Sequence, residues 1–176
     1  MTPEVLVYLA NLGRPRRPRG FSAPSAEPVL LDLATARRQV AGLTGRLISG
    51  ADLAGLRSLQ SYAADAAGLL LAGDVPAPGP LNELARDSRA RVQLTITDGT
   101  PRHEVVWEDG SVVAHLARRL IEELAAIEPG RLRECARPDC TLLFYDTTRS
   151  RTRRWHAEVP CGWRERQHTH RLPTRM

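Results

Sequence analysis

The residues best suited to chemistry are Cys135-x4-Cys140 followed by His156-x4-Cys161, and all three cysteines of the chain lie in this motif. Thiolates and imidazoles are the ligands a zinc ion prefers, and two such pairs about fifteen residues apart can close on one tetrahedral ion. The first pair brackets Ala136-Arg137-Pro138-Asp139, a sequence suited to a tight turn that brings both thiolates to one place. His156 and Cys161 flank a segment containing Pro160, which suits the opening of a last helix from about Cys161 to Arg171. His168 and His170 also offer imidazoles, but the spacing favours His156. Four protein ligands leave no position for a substrate water, so the expected cofactor is one structural Zn2+ ion. Residues 131–172 are too few to bury a stable core unaided, and a metal supplies the missing folding energy.

The motif sits in a field of arginine. Residues 1–130 hold 14 Arg against 15 acidic residues, and residues 131–176 hold 11 against 5, giving balances of −1 and +6. The chain has no lysine, so every basic side chain is a guanidinium that can grip phosphates or guanine edges with two hydrogen bonds. Arg149, Arg151, Arg153 and Arg154 precede the second ligand pair, and Arg164, Arg166 and Arg171 follow it. On the last helix Arg164 and Gln167 or His168 share a side with Arg171, a stripe that fits a DNA major groove while the upstream arginines hold phosphates. Trp155 and Trp163 are read as packing residues of a small module rather than as stacking platforms.

Cys135-Ala-Arg-Pro-Asp-Cys140, Phe144-Tyr-Asp146, Arg153-Arg154-Trp155-His156 and Cys161-Gly162-Trp163-Arg164 together resemble the CGNR zinc finger family. The resemblance covers about residues 131–171 and implies a treble-clef-like zinc module. In that family the finger follows an N-terminal ABATE domain, and members are bacterial and described as stress-induced transcription regulators. Two positions depart from the pattern. His156 stands where the family usually has Cys, implying a Cys3His site, and Trp163 replaces the signature Asn.

The elements that position this module are read from periodicity. Pro3 to Ala10 suggests a short strand, and residues 13–28 suggest a loop whose Arg14-Pro15-Arg16-Arg17-Pro18-Arg19 run would be a second phosphate-contacting arm in the sharper reading. Val29–Leu33 admits a buried strand or a helix start. Leu53, Leu56, Leu59, Ala63, Ala67 and Leu70 mark one face of a helix that starts at Ser49 or Asp52 and stops at Gly73. Pro80 opens a short helix through about Arg89. Val92, Leu94 and Ile96 alternate with Gln93, Thr95 and Thr97, and Asp98-Gly99 turns the chain into a second strand, a β-hairpin. Ser111 caps a helix through about Ile127, ended by Pro129-Gly130. Thr141–Tyr145 reads as a strand. The expected fold is α+β: a helical body with a small antiparallel hairpin over residues 1–130, then the zinc module over residues 131–176.

The function classes narrow accordingly. The run Val5–Ala10 is too short for a signal peptide and no stretch approaches a membrane span, so a cytoplasmic, reducing setting is expected, where clustered Cys and His favour metal over disulfide. His103, Glu104 and His115 match no nucleophile-and-base pattern, so no enzyme is expected. The leading expectation is a DNA-binding transcription regulator whose body senses an effector or dimerises. The alternative is an adaptor whose finger docks an acidic protein partner.

Overall fold

The structure is a computed structural model and describes residues 2–12, 14 and 32–171. The basic run after Arg14 and the stretch 29–31 lie outside the described residues. Seven helical segments and two small antiparallel sheets follow one another: α1 (Glu4–Asn11), α2 (Leu33–Thr35), α3 (Ala41–Thr44), α4 (Leu53–Ala72), α5 (Gly79–Leu84), β1 (Ser88–Thr97), β2 (Thr100–Asp109), α6 (Val112–Ala125), β3 (Leu132–Glu134), β4 (Leu143–Tyr145) and α7 (Trp163–Arg171). A π-helical turn, Ala36–Val40, joins α2 to α3. No helix among the described residues is long and apolar enough to cross a membrane.

The segment read as a first strand is the central helix of the core. Val5, Leu6 and Leu9 of α1 are fully buried against α4 and α6. The partly exposed side of α1 carries apolar Val7 and Tyr8 as well, so this short run has no clear period that separates it from a buried strand. Both ends of α1 are closed by distant side chains. Glu123 on α6 accepts hydrogen bonds from the backbone N–H groups of Val5 and Leu6 at 2.9 and 2.8 Å. At the other end the buried Gln60 of α4 donates to the Leu12 carbonyl at 2.8 Å.

α4 follows its expected stripe: Leu56, Leu59, Ala63 and Ala67 are buried, and Gly73 ends the helix in the left-handed conformation at φ 88°. At its start the Asp52 carboxylate reaches back to accept from the N–H and hydroxyl of Ser49. α4 approaches α6 closely at Gly55, where a Cβ would lie 2.8 Å from a Val113 methyl. The Ser111 hydroxyl accepts from the Ala114 N–H, the expected cap of α6. α5 ends at Leu84, sooner than expected, because the chain turns into β1 at Ser88. β1 and β2 pair from Ser88↔Asp109 to Thr97↔Thr100 around a two-residue turn, Asp98 at φ 49° and Gly99 at φ 71°, the pair of positive angles a type I′ turn requires.

The boundary expected near Gly130 falls between α6 and β3, but the core runs across it. Leu132, Leu143 and Tyr145 bury in the same cluster as α1, α4 and α6. Asn11 binds β4 as a neighbouring strand would, donating to the Leu143 carbonyl at 2.9 Å and accepting from its N–H at 2.8 Å. Arg14 donates to the Thr141 carbonyl and pairs with Glu134. The Tyr145 hydroxyl accepts from the Glu128 N–H. Replacing Asn11 by Ala leaves a backbone donor and acceptor of β4 without partners. It is expected to lower global stability by about 1–3 kcal/mol, read by denaturant unfolding, and to raise amide exchange at Leu143.

Candidate metal centre

The finger is built outward from the β3–β4 pair. Leu132↔Tyr145, Arg133↔Phe144 and Glu134↔Leu143 set the register. A further hydrogen bond from the Cys135 N–H to the Leu142 carbonyl carries the ladder to the first ligand. Cys140 then donates its N–H to the Arg137 carbonyl, closing the turn the intervening Pro-Asp suggested. These two thiols therefore come from the end of a hairpin. After β4 the buried carboxylate of Asp146 organises the loop that carries the third ligand. One of its oxygens accepts from the N–H and hydroxyl of Thr148, the other from the Arg153 N–H at 2.9 Å. The Thr148 hydroxyl, and after it the two backbone N–H groups, hold Asp146 below the usual carboxylate range. Asp-Thr-Thr is an Asx-type loop sequence, a signal the ligand spacing alone passes over.

His156 arrives from this loop, and Cys161 from a kinked segment, Glu158–Gly162, in which Val159 is extended (φ −110°, ψ 123°) before the chain enters α7. Gly162 sits close to the Trp155 ring, where a Cβ would stand at 3.0 Å, and a Cβ would also displace the flexible Glu158 carboxylate at 2.6 Å.

Cys135, Cys140, His156 and Cys161 converge with all four ligand atoms within 4.8 Å of one another. The Nδ1 of His156 lies 3.4 Å from the Cys140 sulfur and 3.6 Å from the Cys161 sulfur. Zinc bonded to sulfur and to imidazole nitrogen at tetrahedral angles requires an S···N edge of about 3.6 Å. The donor set therefore matches one tetrahedral ion in both size and chemistry. With a metal bound, His156 would ligate through Nδ1, which faces the two sulfurs, and its Nε2 would carry the proton. Burial first, and then the neighbouring Cys135, push the Cys140 thiol up to about 12, against an opposing backbone hydrogen bond from Leu142. Burial likewise raises Cys161, while Cys140 and Arg137 pull it down. Cys140 and Cys161 hold their protons until a cation displaces them, so metal binding releases protons and tightens as pH rises. Arg137 is itself buried, donates to Asp139 at 2.5 Å, and offsets the negative charge of a Zn(Cys)3(His) centre.

Residues 131–172 match the CGNR zinc finger. The match and the cluster agree: within the matched segment, Cys135, Cys140, His156 and Cys161 are positioned to bind one metal ion, consistent with structural zinc. A comparison with curated proteins finds no match.

The arginines around the finger divide by use. Arg149, Arg154 and Arg164 are exposed, and Arg149 and Arg164 make no ion pair among the described residues. Arg151 is exposed but pairs with Glu128 at 2.7 Å, and Arg166 pairs with Glu158. Arg154 and Arg166 flank the Trp155 ring, their guanidinium carbons 5.4 and 5.8 Å from its centre. Arg153 turns inward. It donates to the carbonyls of Trp155 and His156 and lies over the Phe144 ring, where it fixes the ligand loop. Arg171 is the last residue of α7; its side chain, like those of His168 and His170, lies outside the described residues. Of the two tryptophans read as packing residues, Trp155 is half-buried as expected. Trp163 is not: as the first residue of α7 it stands 52% exposed, beside a 74% exposed Val159. The residue in place of the family Asn thus faces solvent.

Proposed function

We propose that this protein is a DNA-binding transcription regulator whose CGNR finger, built by structural zinc, presents guanidinium groups to the phosphate backbone. The observation that carries the proposal is the exposed set Arg149, Arg154 and Arg164 around a closed metal centre, on the segment that holds the chain's positive excess. Arg164 and Gln167 lie one turn apart on α7 and are both exposed, a spacing suited to base edges in a major groove. Arg151 and Arg166 exchange surface carboxylates for phosphates at little cost, since exposed ion pairs contribute only about 0–1 kcal/mol. Trp163 offers a ring for stacking or for contact with a sugar.

The hairpin–loop–helix order of the ligands supports a treble-clef-like module. The run α4, α5, β1, β2, α6 supports an ABATE-like reading of residues 1–130. With it comes a bacterial, cytoplasmic, stress-linked regulatory role in which the body senses or dimerises. The protein is read as a binding protein, not an enzyme; His103 and Glu104 are on opposite faces of the hairpin.

The test is titration of the zinc-loaded chain into a labelled duplex over a range of salt. Retention should fall with salt at roughly 0.9 log units of affinity per log unit of salt for each phosphate held. Arg164→Ala should reduce that slope by about one phosphate. Absence of duplex binding even at low salt would remove the proposal. The exposed Val159 and Trp163 favour the second reading, an adaptor that docks an acidic protein, which predicts a stable protein complex indifferent to nucleic acid.

A further inference from the structure

The β1–β2 hairpin stands away from the core, and its two faces differ in kind. Directly opposed residues share a face, so the pairs Val92↔Val105, Leu94↔His103 and Ile96↔Pro101 form one continuous strip. α6 covers only the base of this strip. There the Ser88 hydroxyl donates to the Ala114 carbonyl and Arg118 lies over the Trp107 ring at 4.6 Å. Beyond it Val92, Leu94 and Ile96 are 68, 74 and 65% exposed. The other face has the composition of a solvated surface, with Arg91 paired to Glu108 at 2.9 Å and Gln93 bonded to Glu104.

A two-stranded hairpin alone in water is marginal, and alternation of this kind normally records a face that is buried. Among the described residues nothing covers this one. We infer that a second copy of this chain covers it, the two hairpins packing apolar face to apolar face about a two-fold axis.

Two observations select a copy as the occupant. Val92, Val105, Leu94, His103, Ile96 and Pro101 include no Arg, Asp or Glu, and the one described charge against the patch, Arg118 over Trp107, lies at its base and is paired to Glu122. A two-fold axis sets this neutral strip against itself without bringing like charges together, the condition a self-complementary interface must meet. The area also fits. Val92, Leu94, Ile96, Val105 and Trp107 alone present on the order of 500–600 Å² at their exposures, and the exposed His103 and Pro101 add to it, against about 800 Å² per partner in a standard stable interface; homodimer interfaces are the more apolar class. The inference is independent of what the finger binds, since the hairpin lies outside the finger's hairpin, loop and helix.

The test is the mass of the full, zinc-loaded chain by sedimentation equilibrium, without nucleic acid. The expected result is twice 19.5 kDa, with Leu94→Glu reduced to the monomer at unchanged zinc content and far-ultraviolet dichroism. Thr95→Glu, on the solvated face opposite Arg102, should leave the dimer intact. Hydrogen exchange of the unaltered chain gives a readout that needs no variant: amides in residues 88–109 should exchange more slowly at high protein concentration than at low. A monomeric chain, a dimer that persists in Leu94→Glu, or exchange over 88–109 that ignores concentration would each overturn the inference. The monomer would assign the strip to a different protein or to the chain's own remaining residues.

Discussion

Replacing Cys161 by Ser is expected to abolish stoichiometric zinc and to unfold the outer finger while leaving the body folded. Structural zinc contributes on the order of 10 kcal/mol to modules of this kind, and no other interaction in residues 131–171 approaches that. The loss should be uneven. β3 and β4 are held from the body by Asn11, Arg14 and the buried Leu132, Leu143 and Tyr145. Among the described residues the ligand loop and α7 have no comparable anchor: the turn before α7 packs on α7 itself, Arg153 and Gly162 tie the loop within the finger, and Arg151 reaches Glu128 only as an exposed ion pair. Hydrogen exchange should therefore rise sharply from about residue 146 to 171 and change little at 132–134 and 143–145. Uniform loss of protection across the whole chain would show that the metal supports the body as well.

The second large effect is expected at Glu123. Its two oxygens are the acceptors for the Val5 and Leu6 N–H groups at the start of the central helix. Glu123→Ala leaves both donors buried and unpaired, at about 1–3 kcal/mol each. A loss of about 3 kcal/mol, or roughly 5–12 °C in Tm, is expected by calorimetry. The group also has a pH signature. Burial raises its pKa above the ordinary 4.5, and the two backbone N–H groups and Arg119 only partly oppose this. A folded value above the unfolded one means that this contribution is fully present below about pH 4.5 and is lost as pH rises through the folded value. Relative to Glu123→Gln, which does not titrate, the natural chain should therefore lose part of its advantage as pH rises from 4.5. An advantage that grows over that range would contradict the assigned cause.

These two sites differ in how far they could be read from the chain. The four zinc ligands were legible because soft donors are scarce and their spacing is a geometric constraint. Asp98-Gly99 fixed its hairpin because few other pairs accept two positive φ angles, and Ser111 fixed its helix by a bond to a neighbour three residues on. Long-range partners left no local trace. Glu123 lies 118 residues from Val5 and Asn11 lies 132 from Leu143, so neither cap could be paired from periodicity. α1 differs from the expected strand because its half-buried side, Val7 and Tyr8, is as apolar as its buried side, which leaves no polar period to mark a helix. Among the arginines, composition marked a basic region but could not separate Arg153, which holds the Trp155 and His156 carbonyls, from Arg149 and Arg164, which face solvent. The hairpin strip alternates as its sequence suggests, but alternation implies a covered face and the described residues of the body do not cover it.

On the proposed reading, zinc on a Cys3His site creates the surface that holds DNA. Duplex affinity and metal content measured together in the natural chain and in His156→Ala and His156→Cys test this most directly. One zinc and salt-sensitive binding are expected in the natural chain, loss of both in His156→Ala, and return of both in His156→Cys, which places a thiolate at the fourth corner. Full zinc and undiminished duplex binding in His156→Ala would contradict it.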